Sequence, residues 1–267
     1  MTQQLLEPLH TIATDAGRAI MAIYDTDFTV MDKADDSPLT QADLAAHRII
    51  VDGLRELTPD IPVLSEESAD IPWAERQRWD SYWLVDPLDG TKEFIKKNGE
   101  FTVNIALIQN HQPVVGIVYA PALGVTYLGC EGVGAYRQRD DGEPEAIQVA
   151  QTGRKPMKVV ASRSHRGGKL DAFLQALGEI DTVPIGSSLK FCLVATGEAD
   201  IYPRLGPTCE WDTGAGHCVA QAAGAHIVAV DGEPLRYNSK ESFLNPEFMV
   251  MADADFDWRR CLPELEA

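Results

Sequence analysis

Asp86 and Asp89 stand three positions apart in WLVDPLDGTKEF, where an apolar run ends and a Gly-Thr pair follows. Carboxylates held that close repel each other unless a positive charge lies between them. Glu66 and Glu67 end another β-like run, VLSEES, and Asp212 in EWDTGAG stands where a helix of small residues begins. Acids at strand ends and helix starts gather at the mouth of an α/β fold, where ligands bind. Oxygen ligands from several acids suit a hard cation. Magnesium fits best, because it keeps waters and shares one or two carboxylates with a substrate phosphate.

The residues between the acids fit the same chemistry. Pro87 stiffens the turn and removes an amide that would need a partner. Leu88 can turn its carbonyl toward an ion, and Gly90 and Thr91 open a helix whose free amides suit a phosphate oxygen. An isolated DxxDG is more often a turn with an N-cap; Glu66 upstream and Asp212 downstream shift the balance toward a metal site. Rival motifs fail on spacing. The string lacks the alternation of an EF-hand loop, and GxxxxGK[ST] is absent. GAGHCVAQAAG has no long strand leading directly into it, as a dinucleotide site requires. An aspartyl-phosphate phosphatase would want D-x-D, and no Ser-His-Asp set declares itself.

These residues need elements to hold them. Apolar positions at helical spacing (Leu5, Leu6, Leu9, Ile12, Ala13, Ala16, Ile20, Ile23) predict a helix over 2–24. A second spans about 40–57, with Thr40 as its cap and Asp43 at capping-box spacing. Short β-like runs follow: PVLSE, SYWLVD, FTVNIALI, PVVGIVYAP, VTYLG and GAYR. After the polar stretch RQRDDGEPEA, strands MKVVAS, TVPIGS, ADIYP and HIVAV alternate with helices at LDAFLQALG, LKFCLVATG and from Asp212 to about Ala223. The pattern predicts an α/β protein, with an α+β metal-binding domain over 1–150 and an α/β substrate-binding domain over 151–267.

The 267 residues are enough for one large domain or two modest ones, and 45% hydrophobic with 24% charged residues is ordinary for a soluble globular chain. MTQQLLEPLHTIATDAG lacks the basic start and apolar stretch of a signal peptide, and no run approaches a membrane span. A cytoplasmic location is expected, with peripheral contact at the cytoplasmic face of the inner membrane left open. Five scattered cysteines without a CxxC pair fit reduced thiols. A net charge of −18 argues against nucleic acid as a partner, though bound cations can still draw in a small anion. One segment runs against that charge: RKPMKVVASRSHRGGK, residues 154–169, is basic and holds no acid. It is either a solvated loop or an anion-facing patch.

At this point the sequence resembles the lithium-sensitive, magnesium-dependent phosphatases related to inositol monophosphatase. VDPLDGTKEF is similar to the family signature D-P-[IL]-D-G-T-x-x-F, EWDTGAGHCVAQAAGA to its second signature W-D-x-[AG]-[AG]-G, and SEES to its upstream metal-binding glutamate. The likeness runs from the first helix to about residue 250. DGTKEFIKKNGEFTVNIALI, ASRSH, GSSLKFCLVATGEADIYPR and GPTCEWDTGAGH resemble the bacterial 3′(2′),5′-bisphosphate nucleotidase branch. Arg204 stands about where inositol phosphatases keep a glutamate for sugar hydroxyls, allowing one inserted residue. Arginine suits a second phosphate better than a hydroxyl.

The resemblance implies a layered α/β/α/β/α sandwich and two or three Mg²⁺ ions per active site. It assigns Glu66, Asp86 and the Leu88 carbonyl to a first metal, and Asp86, Asp89 and Asp212 to a second. Thr91 and Asp43 would orient and deprotonate an attacking water, which competes with the capping reading of Asp43. Glu67 reads as an exposed bystander. The implied reaction is hydrolysis of adenosine 3′,5′-bisphosphate to AMP and phosphate by direct water attack, clearing a by-product of sulfate assimilation. Gly90, Thr91, Ser187, Ser188, Lys190, Arg204 and Asp212 are the substrate-binding candidates, with Arg163 and His165 weaker ones. Two alternatives stay open: an inositol- or sugar-bisphosphate phosphatase on the same scaffold, and a non-catalytic metal- or nucleotide-binding regulator. Neither oligomeric state nor the role of Lys92 follows from the sequence.

Overall fold

Apolar residues at four- and three-residue spacing build the first helices of the computed structural model, which describes residues 2–26, 38–151, 153–161 and 168–262. Helix α1 (Leu6–Tyr24) buries Leu9, Ala13, Ala16 and Ile20, and α2 (Pro38–Leu57) buries Ala42, Ala46, Ile50 and Leu54. Because α2 starts at Pro38, Thr40 lies inside its first turn rather than ahead of it. The expected capping role therefore does not hold, and Asp43 is free for other work.

The chain then runs through β1 (Val63–Ser65), α3 (Trp73–Arg76), β2 (Ser81–Asp89), α4 (Thr91–Ile95), β3 (Thr102–Gln109), β4 (Gln112–Ala120), β5 (Val125–Cys130), β6 (Gly134–Arg139) and β7 (Glu145–Ile147). These seven strands form one sheet in sequence order, with β1 parallel to β2 and every later pair antiparallel. Both faces are buried, so alternate residues serve different cores. Trp83, Val85, Val103, Ile105, Leu107, Val115 and Ile117 pack with α1 and α2, while Tyr82, Leu84, Ala106, Ile108 and Val118 face the opposite side. Each buried Val, Leu or Ile contributes roughly 1.5–3 kcal/mol.

The second sheet is built from β8 (Met157–Ala161), α5 (Gly168–Leu177), β9 (Ile180–Pro184), α6 (Leu189–Ala195), β10 (Ile201–Arg204), α7 (Gly214–Ala222), β11 (His226–Ala229) and β12 (Phe248–Met251). Its order is β11-β12-β10-β8-β9, parallel across β10, β8 and β9 and antiparallel at β12. Two strands, β7 and β12, are additions to the sequence expectation, and α7 starts two residues after Asp212. Helices α6 and α7 are shared between the sheets, with Phe191, Ala215 and Val219 in one cluster with Leu84 and Phe248. Phe173 of α5 covers the far face of the second sheet. The α/β/α/β/α layering is thus observed.

Small residues let α7 lie close to the first sheet. A Cβ on Gly116 would come within 2.6 Å of the Ala215 carbonyl, and one on Gly129 within 2.6 Å of the Val219 Cα. That close contact brings Asp212, just ahead of α7, to the end of the sheet where β2 stops.

Candidate active site

Parallel pairing aims the C-terminal ends of several strands at one place. β1 ends into a single 3₁₀ turn, Glu66–Ser68, and its parallel neighbour β2 ends at Asp89. In the second sheet, β9 exits toward Gly186, Ser187 and Ser188, and β10 ends at Arg204. Asp89 at the end of β2, Gly186, Ser187 and Ser188 after β9, and Arg204 at the end of β10 line one pocket of about 280 Å³ together with Asp212.

The spacing of Asp86 and Asp89 has a backbone cause. Asp86 pairs with Asn104 but Asp89 pairs with Thr102, so three steps on β2 match two on β3. This bulge absorbs the extra residue and aims both acids toward the strand end. The Leu88 amide donates to Asp86 Oδ1 at 3.1 Å. Gly90 then turns with φ of 94° into α4, a conformation that favours glycine, and a Cβ there would also press on the Glu100 carbonyl.

Carboxylate oxygens of Glu66, Asp86 and Asp212 all lie within 4.8 Å of one another. Asp86 is 2% exposed, and burial beside Asp89, Glu66 and Asp212 holds its pKa well above the usual carboxylate range. Burial and the Asp89 charge push Asp212 up to about 7. The Glu66 side chain is open to solvent along its length, yet protein crowds its carboxylate. That desolvation, with Glu67 and Asp89 nearby, pushes it up to about 7. Asp43, on α2, is pushed up to about 8 by burial and by Glu67, close enough to share a hydrogen bond. Its Oδ1 is buried without a hydrogen-bond partner. Four clustered acids and an orphaned oxygen suit an oxygen-seeking cation.

Asp89 is held differently. Its Oδ2 accepts from Ser187 Oγ at 2.6 Å, the Ser188 amide at 2.7 Å and Ser188 Oγ at 3.0 Å. Asn104 Nδ2 donates to Ser188 Oγ at 2.9 Å, while Thr102 Oγ1 contacts Ser187 Oγ and donates to Asn104 Oδ1. Donors crowd one oxygen, and they fix the orientation of the carboxylate. Ser188 Oγ also reaches the Asp212 carbonyl at 2.6 Å, and the Cys209 amide donates to Asp212 Oδ2 at 2.9 Å. Ser187 and Ser188 line the pocket, but their hydroxyls are engaged on these acids.

The opposite wall is cationic. Lys190 is 7% exposed, donates to the Ser187 carbonyl at 2.6 Å and sits over the Tyr202 ring. It is not an exposed helix lysine, and desolvation lowers its pKa to about 8. Arg204 lines the pocket, donates to the Pro207 carbonyl and keeps a buried Nε without a partner. Gly90, Thr91 and Lys92 form another stretch of the rim, and Lys92 is exposed there. Arg163 and His165 lie outside the described residues. Sequence reasoning missed Thr102, Asn104 and the pocket-lining Glu93. Polar Thr and Asn inside the apolar run FTVNIALI were the available signal, since a buried polar side chain needs a partner.

The inositol monophosphatase family model matches residues 1–254. The chain belongs to the inositol monophosphatase family. Its relatives within that family include the 3′(2′),5′-bisphosphate nucleotidase CysQ of Escherichia coli (strain K12), 57% identical over 249 residues that cover 92% of this chain and 99% of that protein. The CysQ nucleotidase of Aggregatibacter actinomycetemcomitans is 39% identical, covering 97% and 96%. Among solved structures, CysQ from Bacteroides thetaiotaomicron superposes with a TM-score of 0.86 at 45% identity, covering 93% of this chain and 97% of that one. The inositol monophosphatase of Zymomonas mobilis shares the fold at a TM-score of 0.79 and 20% identity, covering 98% and 97%. Members of the family are metal-dependent, and the acidic cluster is where this chain can bind metal. Among the described residues, no helix is long and apolar enough to cross a membrane.

The acidic cluster has a consequence for stability. A carboxylate whose folded pKa exceeds its unfolded one holds extra protons in the folded state. Its stabilising contribution is therefore full below the unfolded value, near 4, and is lost as pH rises through the folded value. With Glu66 and Asp212 at about 7 and Asp43 at about 8, the metal-free protein loses melting temperature steadily from weakly acidic to weakly basic pH. A divalent cation must displace those protons, so the melting temperature it restores grows over the same interval. Thermal melts in EDTA and in excess MgCl₂ across that range measure both trends. A flat profile in EDTA would contradict the clustering.

Proposed function

We propose that this protein is a Mg²⁺-dependent 3′(2′),5′-bisphosphate nucleotidase that hydrolyses adenosine 3′,5′-bisphosphate to AMP and phosphate. The observation that carries the reading is the pairing of two opposite charge sets across one pocket. Asp89 and Asp212 line the cavity together with Lys190 and Arg204, and Asp212 belongs also to the cluster with Glu66 and Asp86. A phosphate monoester needs only the first set; a second phosphate gives the cations a purpose. The CysQ nucleotidases, similar over nearly the whole chain, carry that activity in their name. A division near residue 150 belongs to this reading: the first half supplies most metal ligands and the second most substrate contacts, with Asp212 crossing over.

Glu66, Asp86, Asp89, Asp212 and the Leu88 carbonyl would hold two or three Mg²⁺. When bound, the metal neutralises the acids, lowers the pKa of water and stabilises charge on the leaving oxygen. Asp43 accepts the proton of the attacking water, and Thr91, at the start of α4 beside α2, orients that water. The amides of Gly90 and Thr91 receive a phosphate oxygen. Ser187 and Ser188 hold Asp89 and Asp212 in place, while Lys190 and Arg204 bind the phosphate that is not cleaved.

Phosphate release from adenosine 3′,5′-bisphosphate, inositol 1-phosphate and fructose 1,6-bisphosphate decides among activities on this scaffold. The adenosine bisphosphate should give the highest kcat/KM, and EDTA should abolish release. A clear win for inositol 1-phosphate would replace this reading with that of a sugar-phosphate phosphatase. No release from any of the three would favour a metal- or nucleotide-binding regulator.

A further inference from the structure

The basic segment RKPMK does not serve the pocket described above. β8 is parallel to β10, which ends at Arg204, so Met157 and the residues before it lie at the opposite end of the second sheet. There, Arg154, Lys155, Met157, Leu177, Phe256 and Arg260 line a second cleft of about 650 Å³. A smaller cavity of about 210 Å³ shares Arg154, Lys155, Met157 and Phe256 with it. The cleft's volume falls within the range of small-molecule sites.

Its charge is opposite to that of the chain, which carries a net −18. Arg154 is 3.7 Å from Asp200 and donates to the Gly197 carbonyl, yet its Nη1 is buried without a hydrogen bond. Lys155 and Arg260 are exposed and form no ion pair with any described carboxylate. Glu179 is the one acid lining the larger cleft, against three cations. Phe256 is half-buried, with the Arg260 guanidinium 6.0 Å from its ring centre. Two cations outside any described ion pair, Lys155 and Arg260, beside an aromatic ring and an apolar floor suit an anion attached to a flat ring.

We propose that this cleft is a second binding site, separate from the catalytic pocket, for a nucleoside monophosphate. Its phosphate would lie on Lys155, Arg260 and Arg154, and its base against Phe256 and Leu177. The inference stands on the cleft and not on the assigned activity.

Calorimetric titration of the whole chain with AMP in EDTA tests it. The titration is run on the Arg204→Gln protein, because Arg204 in the catalytic pocket is assigned to the same phosphate of AMP, so binding that persists reports the remote cleft. One saturable site per chain is expected, with K155E/R260E weakening it at least tenfold while leaving turnover and melting temperature in place. Adenosine and inorganic phosphate, titrated separately, should each bind at least tenfold more weakly than AMP. Phosphate binding as tight as AMP would overturn the nucleotide assignment. Absence of saturable AMP binding, or its survival in the double variant, would overturn the site.

Discussion

Asp86→Asn lowers kcat by about three orders of magnitude at saturating Mg²⁺, on the scale expected when a central metal ligand or charge stabiliser is removed. The fold survives and the metal-free melting temperature holds or rises. Both outcomes share one cause. Asp86 is 2% exposed with Asp89, Glu66 and Asp212 around it, so its negative charge costs stability in the absence of a cation. The amide oxygen of asparagine still accepts from the Leu88 amide, and the bulge between β2 and β3 keeps its anchor. What is lost is the carboxylate common to both expected metals. The gain in melting temperature on adding Mg²⁺ should therefore shrink along with kcat. Steady-state kinetics with thermal melts at matched pH separate the two effects. Near-normal turnover in this variant would mean that the metal sits elsewhere.

The acids proposed as ligands, Glu66, Asp86, Asp89 and Asp212, stood out in the sequence because each lies at the end of a β-like run or ahead of a helix of small residues. Parallel pairing turns such ends to a common side. The layered architecture came from the family resemblance, while the run pattern alone gave an α+β half followed by an α/β half; in the structure residues such as Val103 and Ile105 alternate with Ala106 and Ile108 because both sheet faces are covered. Asp43 was harder. Its spacing from Thr40 imitates a capping box, and only the start of α2 at Pro38 frees it from that role. The work of Ser187 and Ser188 was hidden altogether. GSSLKF shows two hydroxyls near a lysine, but their grip on Asp89 depends on residues roughly a hundred positions away meeting across two sheets. Lys190 was open to reading as a surface residue, since helix position does not reveal what packs on top of it. Strands β7 and β12 escaped because edge and insertion strands are defined by their partners more than by their own pattern.

Arg204→Gln lowers kcat/KM for adenosine 3′,5′-bisphosphate by about 30- to 1,000-fold, the range that corresponds to losing about 2–4 kcal/mol of charge-assisted bonding. Activity on adenosine 3′-phosphate, which keeps the scissile group but lacks the second phosphate, falls less than about threefold by the same reasoning. Arg204 Nη2 is committed to the Pro207 carbonyl, and its buried Nε has no partner, so the side chain is held in place with a donor to spare. Glutamine keeps part of the chain's bulk while removing the charge that a second phosphate would need. Lys190 provides the contrast. It is nearly buried, bonds the Ser187 carbonyl and lies close to the charge of Asp89, so Lys190→Met disturbs the serines that hold the acids. That variant should lose activity on both substrates, with kcat falling as well as kcat/KM. The ratio of the two substrates' kcat/KM, read beside the rate on adenosine 3′-phosphate, is the deciding quantity: Arg204→Gln must collapse the ratio with that rate kept, whereas Lys190→Met lowers the ratio and that rate together. Equal losses on both substrates for Arg204→Gln would assign the arginine to the shape of the pocket, leaving recognition of the second phosphate to other groups.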